Sequence, residues 1–374
     1  MDINRRKDEL LRFSVPDSPA LSFSGKDILD KEPDWNDIKY NLHTRPEIFE
    51  KAFFSIHIKK KSSFTPEQKQ RAIQFFVLAY LITSDVRYFN EYLWFSDNGN
   101  TSANDHELCL AHFNKNCGKN KCHSIGPSEL SITKDLLQGD VMRNGTHQPD
   151  TKLRVCLIGN PVFFGSIHRE LKKAGFHVEQ FFIPYHPNKY IRFIAGNPLL
   201  IKAASILKGN PYKFQTLNFD PKDERIKTIL DERRFDIGFH KLNFIIRKNI
   251  IDSFRIALIN DHWGMLPFLR GKSTIAWSVL LGFPVIPSLH FTETGIDSGP
   301  IIGYDQPDVS GINSLEGLRS KIRQTLTGRV VQAIKYLASP QFKAVPNRAD
   351  QGHTYYEMHP WLVEYTEKEV LGKS

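Results

Sequence analysis

Asn260, Asp261 and His262 stand side by side, and Asp297 follows 35 residues after the histidine, within Gly295-Ile296-Asp297-Ser298-Gly299-Pro300. These residue types suit one kind of chemistry. A neutral imidazole takes a proton near pH 7. A carboxylate beside it orients the ring and favours the charged form that follows. An amide NH2 donates to an oxygen that becomes negative when a carbonyl is attacked. Base, orienting acid and oxyanion donor together fit acyl transfer to an amine without an enzyme nucleophile.

The elements that must position these groups are legible around them. Residues 255–259 read as a short strand buried on both faces, as in a parallel sheet. Asn260 and His262 sit at its carboxyl end. Alternation along extended backbone turns both the same way, into the crevice where open α/β sheets bind ligands. Asp261 points to the opposite face. Upstream, residues 152–159 read as a first strand, 166–174 as a helix closed by Gly175, and 177–183 as a second strand. That order implies a parallel pair with a right-handed crossover. The turn from Gly159 to Gly165 is not a dinucleotide fingerprint. Asp220-Pro221 opens a helix through Arg234, a strand covers 236–241, residues 273–281 read as helix, and a longer helix runs from Ser314 to about Ala338. Arg270 is a structural cation or a contact for an acceptor phosphate.

The run Asn260-Asp261-His262-Trp263-Gly264-Met265-Leu266-Pro267-Phe268-Leu269-Arg270-Gly271, then Trp277, Gly282, His290-Phe291 and Gly295–Ile302, resembles the folate-dependent formyltransferase family. The family includes methionyl-tRNA formyltransferase, glycinamide ribonucleotide transformylase and the sugar N-formyltransferases. The resemblance covers about residues 152–310. It implies that Asn260 holds the formyl oxygen, that His262 is the base toward the attacking amine, and that Asp297 pairs with His262. It implies 10-formyltetrahydrofolate as donor, its pterin resting on the loop Leu242, Asn243, Phe244 and Ile246 and on Thr294, Gly295 and Ile296. Asp261, Trp263 and Gly264 depart from the family's usual apolar residue and Pro-Ser, which bears on the acceptor more than on the chemistry.

The expected fold class is therefore α/β: a Rossmann-like parallel-sheet formyltransferase domain over 151–312, a mainly helical N-terminal extension over 1–150, and a C-terminal helix and tail over 313–374. Within the extension, Thr65-Pro66-Glu67-Gln68 reads as a capped helix start and 72–82 as a well-buried helix. Segment 86–95 suits helix and strand alike. His106, Cys109, His112, Cys117, Cys122 and His123 cluster within 18 residues, but no Cys-x-x-Cys is present, and the chain is read as holding no metal. His353 and His359 read as surface or structural groups.

The net charge of +9 favours anionic partners: a phosphorylated or nucleotide-linked acceptor, polyglutamylated folate, or tRNA. In the family's tRNA enzyme a substantial domain follows the catalytic core. Here 77 residues follow Asp297, which turns the reading away from nucleic acid. Four cysteines make no disulfide framework, no apolar leader opens the chain, and no apolar run is long enough for a bilayer. The expectation is a cytoplasmic N-formyltransferase, with a homodimer left open, acting on a small amine, a nucleotide-linked amino sugar first. The alternatives are a formyltetrahydrofolate deformylase and a catalytically silent folate-binding protein.

Overall fold

The computed structural model describes residues 11–12, 23–30, 32–58, 64–96, 103–117, 127–138, 142, 148–183, 197–217, 224–242 and 246–372. Asn243, Phe244, Cys122, His123 and the Asp220-Pro221 helix start lie outside them. The chain divides into two compact units. One comprises 1–124, 280–282 and 356–374; the other comprises 125–279 and 283–355.

The first unit is helical: α1 (Gly25–Leu29), α2 (Trp35–Thr44), α3 (Glu50–Ile58), α4 (Pro66–Thr83), α5 (Val86–Ser96) and α6 (Ala103–Cys117). Thr65 caps α4 as read, its hydroxyl accepting from the Gln68 N–H while the Gln68 side chain accepts from the Thr65 N–H. Residues 75–81 of α4 are all buried, too wide an apolar face for a surface helix. Segment 86–95 is helical: buried side chains occupy nearly its whole circumference, including Arg87, Asn90 and Glu91. The Asn90 amide receives the tail by donating to the Glu357 carbonyl (3.2 Å) and accepting from the His359 N–H (2.7 Å). His359 is buried and caps the helix Pro360–Tyr365.

The cysteine–histidine cluster of α6 is spent on packing. His106 meets the Tyr92 hydroxyl, His112 meets Ser84 and Asn116, and Cys109 is buried. Cys117 is disulfide-bonded. Among the described residues no group of three His, Cys, Asp or Glu is gathered for a metal ion, and no helix is long and apolar enough to cross a membrane.

The second unit opens with α7 (Pro127–Gln138) and then alternates. Its elements are β1 (Arg154–Gly159), α8 (Gly165–Lys173), β2 (His177–Phe182), α9 (Pro198–Leu207), β3 (Gln215–Thr216), α10 (Glu224–Arg233), β4 (Ile237–Lys241), α11 (Lys248–Ile251) and β5 (Ala257–His262). Then come β6 (Leu269–Gly271), α12 (Thr274–Leu281), β7 (Ser288–Phe291), β8 (Ile301–Tyr304), α13 (Leu315–Leu337) and β9 (His353–Tyr355). Among the described residues the main sheet has seven strands in the order β3-β2-β1-β4-β5-β7-β8. The pairs from β3 to β5 are parallel, and β7 and β8 add antiparallel ladders. This is the expected Rossmann-like α/β architecture.

Strands β1, β2 and β5 each serve two cores. Val155 and Leu157 of β1 join one cluster, shared with Val330, Ile334 and Leu337 of α13. Cys156 and Ile158 join another, shared with Ile226 and Leu230 of α10. Burial on both faces explains the unbroken apolar runs of these strands. The chain passes from β1 through β2 and β3 and re-enters at β4 on β1's other side. The order therefore reverses between β1 and β4, and in open α/β sheets ligands bind beyond the strand ends at that reversal.

Candidate active site

β5 extends through His262, so Asn260 and His262 occupy its last turns rather than a loop after it. Leu258 belongs to the α10-side core, and two-residue alternation puts Asn260 and His262 on that same face. Register then assembles a row. His240 of β4 lies opposite Asn260, and Asn260 lies opposite His290 of β7. Asp297 arrives on the loop between β7 and β8, with a left-handed backbone (φ +45°). Left-handed backbone is unusual for residues other than glycine, though Asp tolerates it better than most.

The structure thus brings Asn260, His262 and Asp297 together, with His290 among them. His262 Nδ1 is 3.3 Å from one Asp297 oxygen, and His290 Nε2 is 3.4 Å from the other. The Asn260 amide nitrogen is 3.4 Å from His290 Nε2. The other His262 nitrogen, Nε2, lies 2.6 Å from the Leu269 carbonyl. A carbonyl oxygen only accepts, so Nε2 carries the proton of that bond. A proton gained by the ring therefore arrives at Nδ1, beside Asp297. His290 Nδ1 likewise donates to the Phe291 carbonyl at 2.7 Å.

Burial works against a charge on Asp297. Charge on His262, the hydrogen bond and charge of His290, and the Gly271 N–H outweigh it and hold the carboxyl well below its ordinary range. The Asn347 amide fixes the backbone beneath it, donating to the carbonyls of Asp297 (2.8 Å) and Gly299 (2.9 Å). Arg270 settles as the structural cation. It is buried, and its guanidinium donates to Asn347 Oδ1 (3.0 Å) and to the carbonyls of Arg348, Ala349 and Gly352.

Asp261 turns to the α13 side, as strand alternation requires. Arg329 grips both its oxygens, at 2.6 and 2.9 Å, and the Trp263 indole N–H donates to it at 2.8 Å. Gly264 is explained by space: a Cβ there would lie 2.8 Å from both His262 Nε2 and the Leu269 carbonyl.

Of the residues read as a pterin cradle, Ile246 is buried and Leu242 half-buried against the α10-side core, the face that Asn260 shares. Thr294 and Gly295 are exposed and Ile296 is half-buried, on the loop that carries Asp297. An apolar wall beside exposed backbone suits a flat heterocycle. Sequence reasoning assigned no role to His240, His290 or Asn347. The signal for His290 was there: it is a histidine in a strand-like stretch within the resembling blocks. His240 is buried, its Nε2 2.8 Å from the Thr292 hydroxyl, and its Nδ1 has no hydrogen-bond partner among the described residues.

The sheet order and its strand-end constellation define a Rossmann-like α/β domain. Comparison with characterised proteins agrees with the family resemblance of the sequence blocks. The chain is 27% identical over 213 residues to the mitochondrial 10-formyltetrahydrofolate dehydrogenase of Homo sapiens, covering 54% of this chain and 22% of that one. It is 35% identical over 107 residues to the methionyl-tRNA formyltransferase of Finegoldia magna, covering 26% and 34%. The chain thus spans less than two thirds of the length of either relative. Among solved structures, a sugar N-formyltransferase from a Shewanella species aligns with a TM-score of 0.43 and 13% identity, covering 58% of this chain and 87% of that one. No protein-family model matches the chain.

Proposed function

We propose that the second unit transfers a formyl group from 10-formyltetrahydrofolate to a primary amine of a small acceptor. The single observation that carries this reading is the convergence of the Asn260 amide, the His262 ring and the Asp297 carboxylate at the end of β5. A relative named for 10-formyltetrahydrofolate supports the choice of donor.

In this reading the amine nitrogen attacks the formyl carbon, and the carbonyl π pair moves onto oxygen. Asn260 Nδ2 donates to that oxygen, an interaction worth most once charge has developed. The ammonium proton passes to His262 Nδ1, where Asp297 stabilises the imidazolium. Collapse breaks the bond from carbon to folate nitrogen, which leaves with a proton. The products are the formamide and tetrahydrofolate. Leu242, Asn243, Phe244, Ile246, Thr294, Gly295 and Ile296 hold the pterin. A nucleotide-linked amino sugar is the first choice of acceptor, because a basic chain attracts phosphates.

The test is a panel of nucleotide-linked amino sugars and amino-acid-like amines incubated with the chain and 10-formyltetrahydrofolate, followed by mass spectrometry. Formylation of an amine that needs both protein and donor is the expected result. Donor consumption with no formylated amine would convert the reading to hydrolysis, and tight folate binding without turnover would end it.

A further inference from the structure

The apolar stripe of a surface helix ordinarily faces the core. That of α9 faces outward. Leu199, Leu200, Ala203, Ile206 and Leu207 recur at helical spacing within about a third of its circumference, and all five are exposed. Leu199 is 77% accessible and Leu207 86%. Among the described residues six large apolar side chains are exposed. Four belong to this stripe, and a fifth is Phe163, on the turn Pro161–Phe163 against which α9 packs. A monomeric surface rarely gathers apolar groups in this way unless something covers them.

The rest of the helix is tied down. Asn197 caps its start by accepting from the Leu199 and Leu200 N–H groups, and Ser205 is buried. Past its end, buried Asn210 donates to the Pro161 carbonyl (2.5 Å) and to the Gln180 side chain (2.8 Å). A Cβ on Gly165 would lie 2.5 Å from the Gly209 carbonyl, so the end of α9 abuts the start of α8. The stripe is displayed from a fixed helix.

The charge around it has one sign. Lys202, Lys208 and Lys213 are exposed on α9 and just beyond it. On α8, Arg169 and Lys172 are exposed, and the Lys172 ammonium stands 6.0 Å over the ring of Tyr212, which stacks on His168. Glu170 of α8 is held by Lys173 at 2.9 Å. The sequence from 180 to 219 carries five Lys and Arg and not one Asp or Glu.

We propose that α9 lies in the surface of an anionic lipid bilayer, its leucines among the acyl chains and its lysines at the headgroup phosphates. Leucines this exposed form a ridge, and a fluid bilayer closes round a ridge without needing a matching groove. A second copy of the chain would set lysine against lysine across a two-fold contact. Leucine and isoleucine offer nucleic-acid bases no ring to stack on. Such a helix rests in the plane of the membrane and does not span it. Docking of this kind is independent of formyl transfer.

Sedimentation of the full chain with vesicles of phosphatidylcholine, and of phosphatidylcholine mixed equally with phosphatidylglycerol, tests it. The chain should pellet with the mixed vesicles, and less so as salt rises. Leu199→Gln combined with Leu207→Gln should lower the partition coefficient about tenfold or more. Lys202→Gln and Lys208→Gln should each lower it about fivefold. All four side chains are exposed, so these variants fold. Lys248→Gln, at an exposed cation paired with Asp252, should leave partitioning unchanged. No pelleting with the mixed vesicles would overturn the assignment. Binding that ignores the leucine variants would do the same, since it is adhesion by charge alone. A leucine-dependent dimer, or an RNA complex, formed by a chain that leaves the vesicles alone would give the stripe to that partner instead.

Discussion

His262 Nε2 lies 2.6 Å from the Leu269 carbonyl oxygen, and that one bond decides which nitrogen of the ring can take a proton. With Nε2 committed as donor, Nδ1 faces Asp297 at 3.3 Å. A base working there gains its proton next to a carboxylate held in its charged form.

His262→Ala should lower turnover by about 10²–10⁴, the range for loss of a positioned base, while tetrahydrofolate binding changes little. Steady-state rates and equilibrium binding of the folate would check this. An unchanged rate would remove the role.

Asn260→Ala should act on kcat more than on KM, by about 10²–10³, since the charged oxygen exists only in the transition state. Parallel measurement of both constants decides it. A change confined to KM would contradict the oxyanion role and leave Asn260 as a ground-state contact.

Gly264→Ala places a methyl group 2.8 Å from both ends of the His262–Leu269 bond, with Thr274 Cβ equally close. The methyl cannot be absorbed by a flexible side-chain tip, because one of the groups it meets is backbone. Overpacking of this kind costs about 1–3 kcal/mol. Turnover should fall alongside a lowered Tm, and a crystal structure of the variant should show the ring displaced from Leu269.

Asp261→Ala should destabilise the chain by about 3 kcal/mol, because it takes the two-pronged carboxylate from the buried Arg329 guanidinium and leaves Asp305, at 3.4 Å, as its acidic partner. Replacing both partners by apolar residues should recover much of that loss. Burial opposes charge on Asp261, but Arg329 prevails and lowers its folded pKa. The stability it supplies is present above the unfolded value, roughly 3.9, and is lost as pH falls through the folded one.

His240 gives stability a second, separate pH dependence. Burial, then the charges of His290 and Lys241, push its folded pKa down to about 3 from 6.5, against the pull of Asp297. Between those values the unfolded chain binds the extra proton, so stability rises with pH across that window and is lost as pH falls through it. His240→Gln should flatten the slope of Tm against pH above roughly pH 4, where the carboxylate contributions of Asp and Glu have faded. An unaltered slope would show that another group titrates.

Strand-level features were readable because they depend on local period. The β1–α8–β2 order, the β5 run and the common direction of Asn260 and His262 need only alternation and a helix stop at Gly175. The face opposite them was readable for the same reason, down to Asp261 turning away. What escaped depends on pairings between distant segments. His290 reaches Asn260 only because β7 runs antiparallel to β5 in a particular register. Asn347 meets Asp297 across 50 residues, and no periodicity encodes that. Arg270 was ambiguous because a loop cation looks the same whether it faces water or four oxygens. No local period in the tail past Tyr355 names its partner, yet the Asn90 amide secures it within the helical unit.

The Arg270–Asn347–Asp297 chain closes on itself, since Gly271, next to Arg270, donates back to the Asp297 carboxylate at 2.9 Å. Such a loop of contacts makes the acid's direction independent of any occupant. A rigid molecule shaped like the tetrahedral adduct would find its partner groups already aimed, and little of its binding free energy would be diverted into ordering them. Affinity within a series of such molecules should then follow the stiffness of the molecule rather than that of the protein.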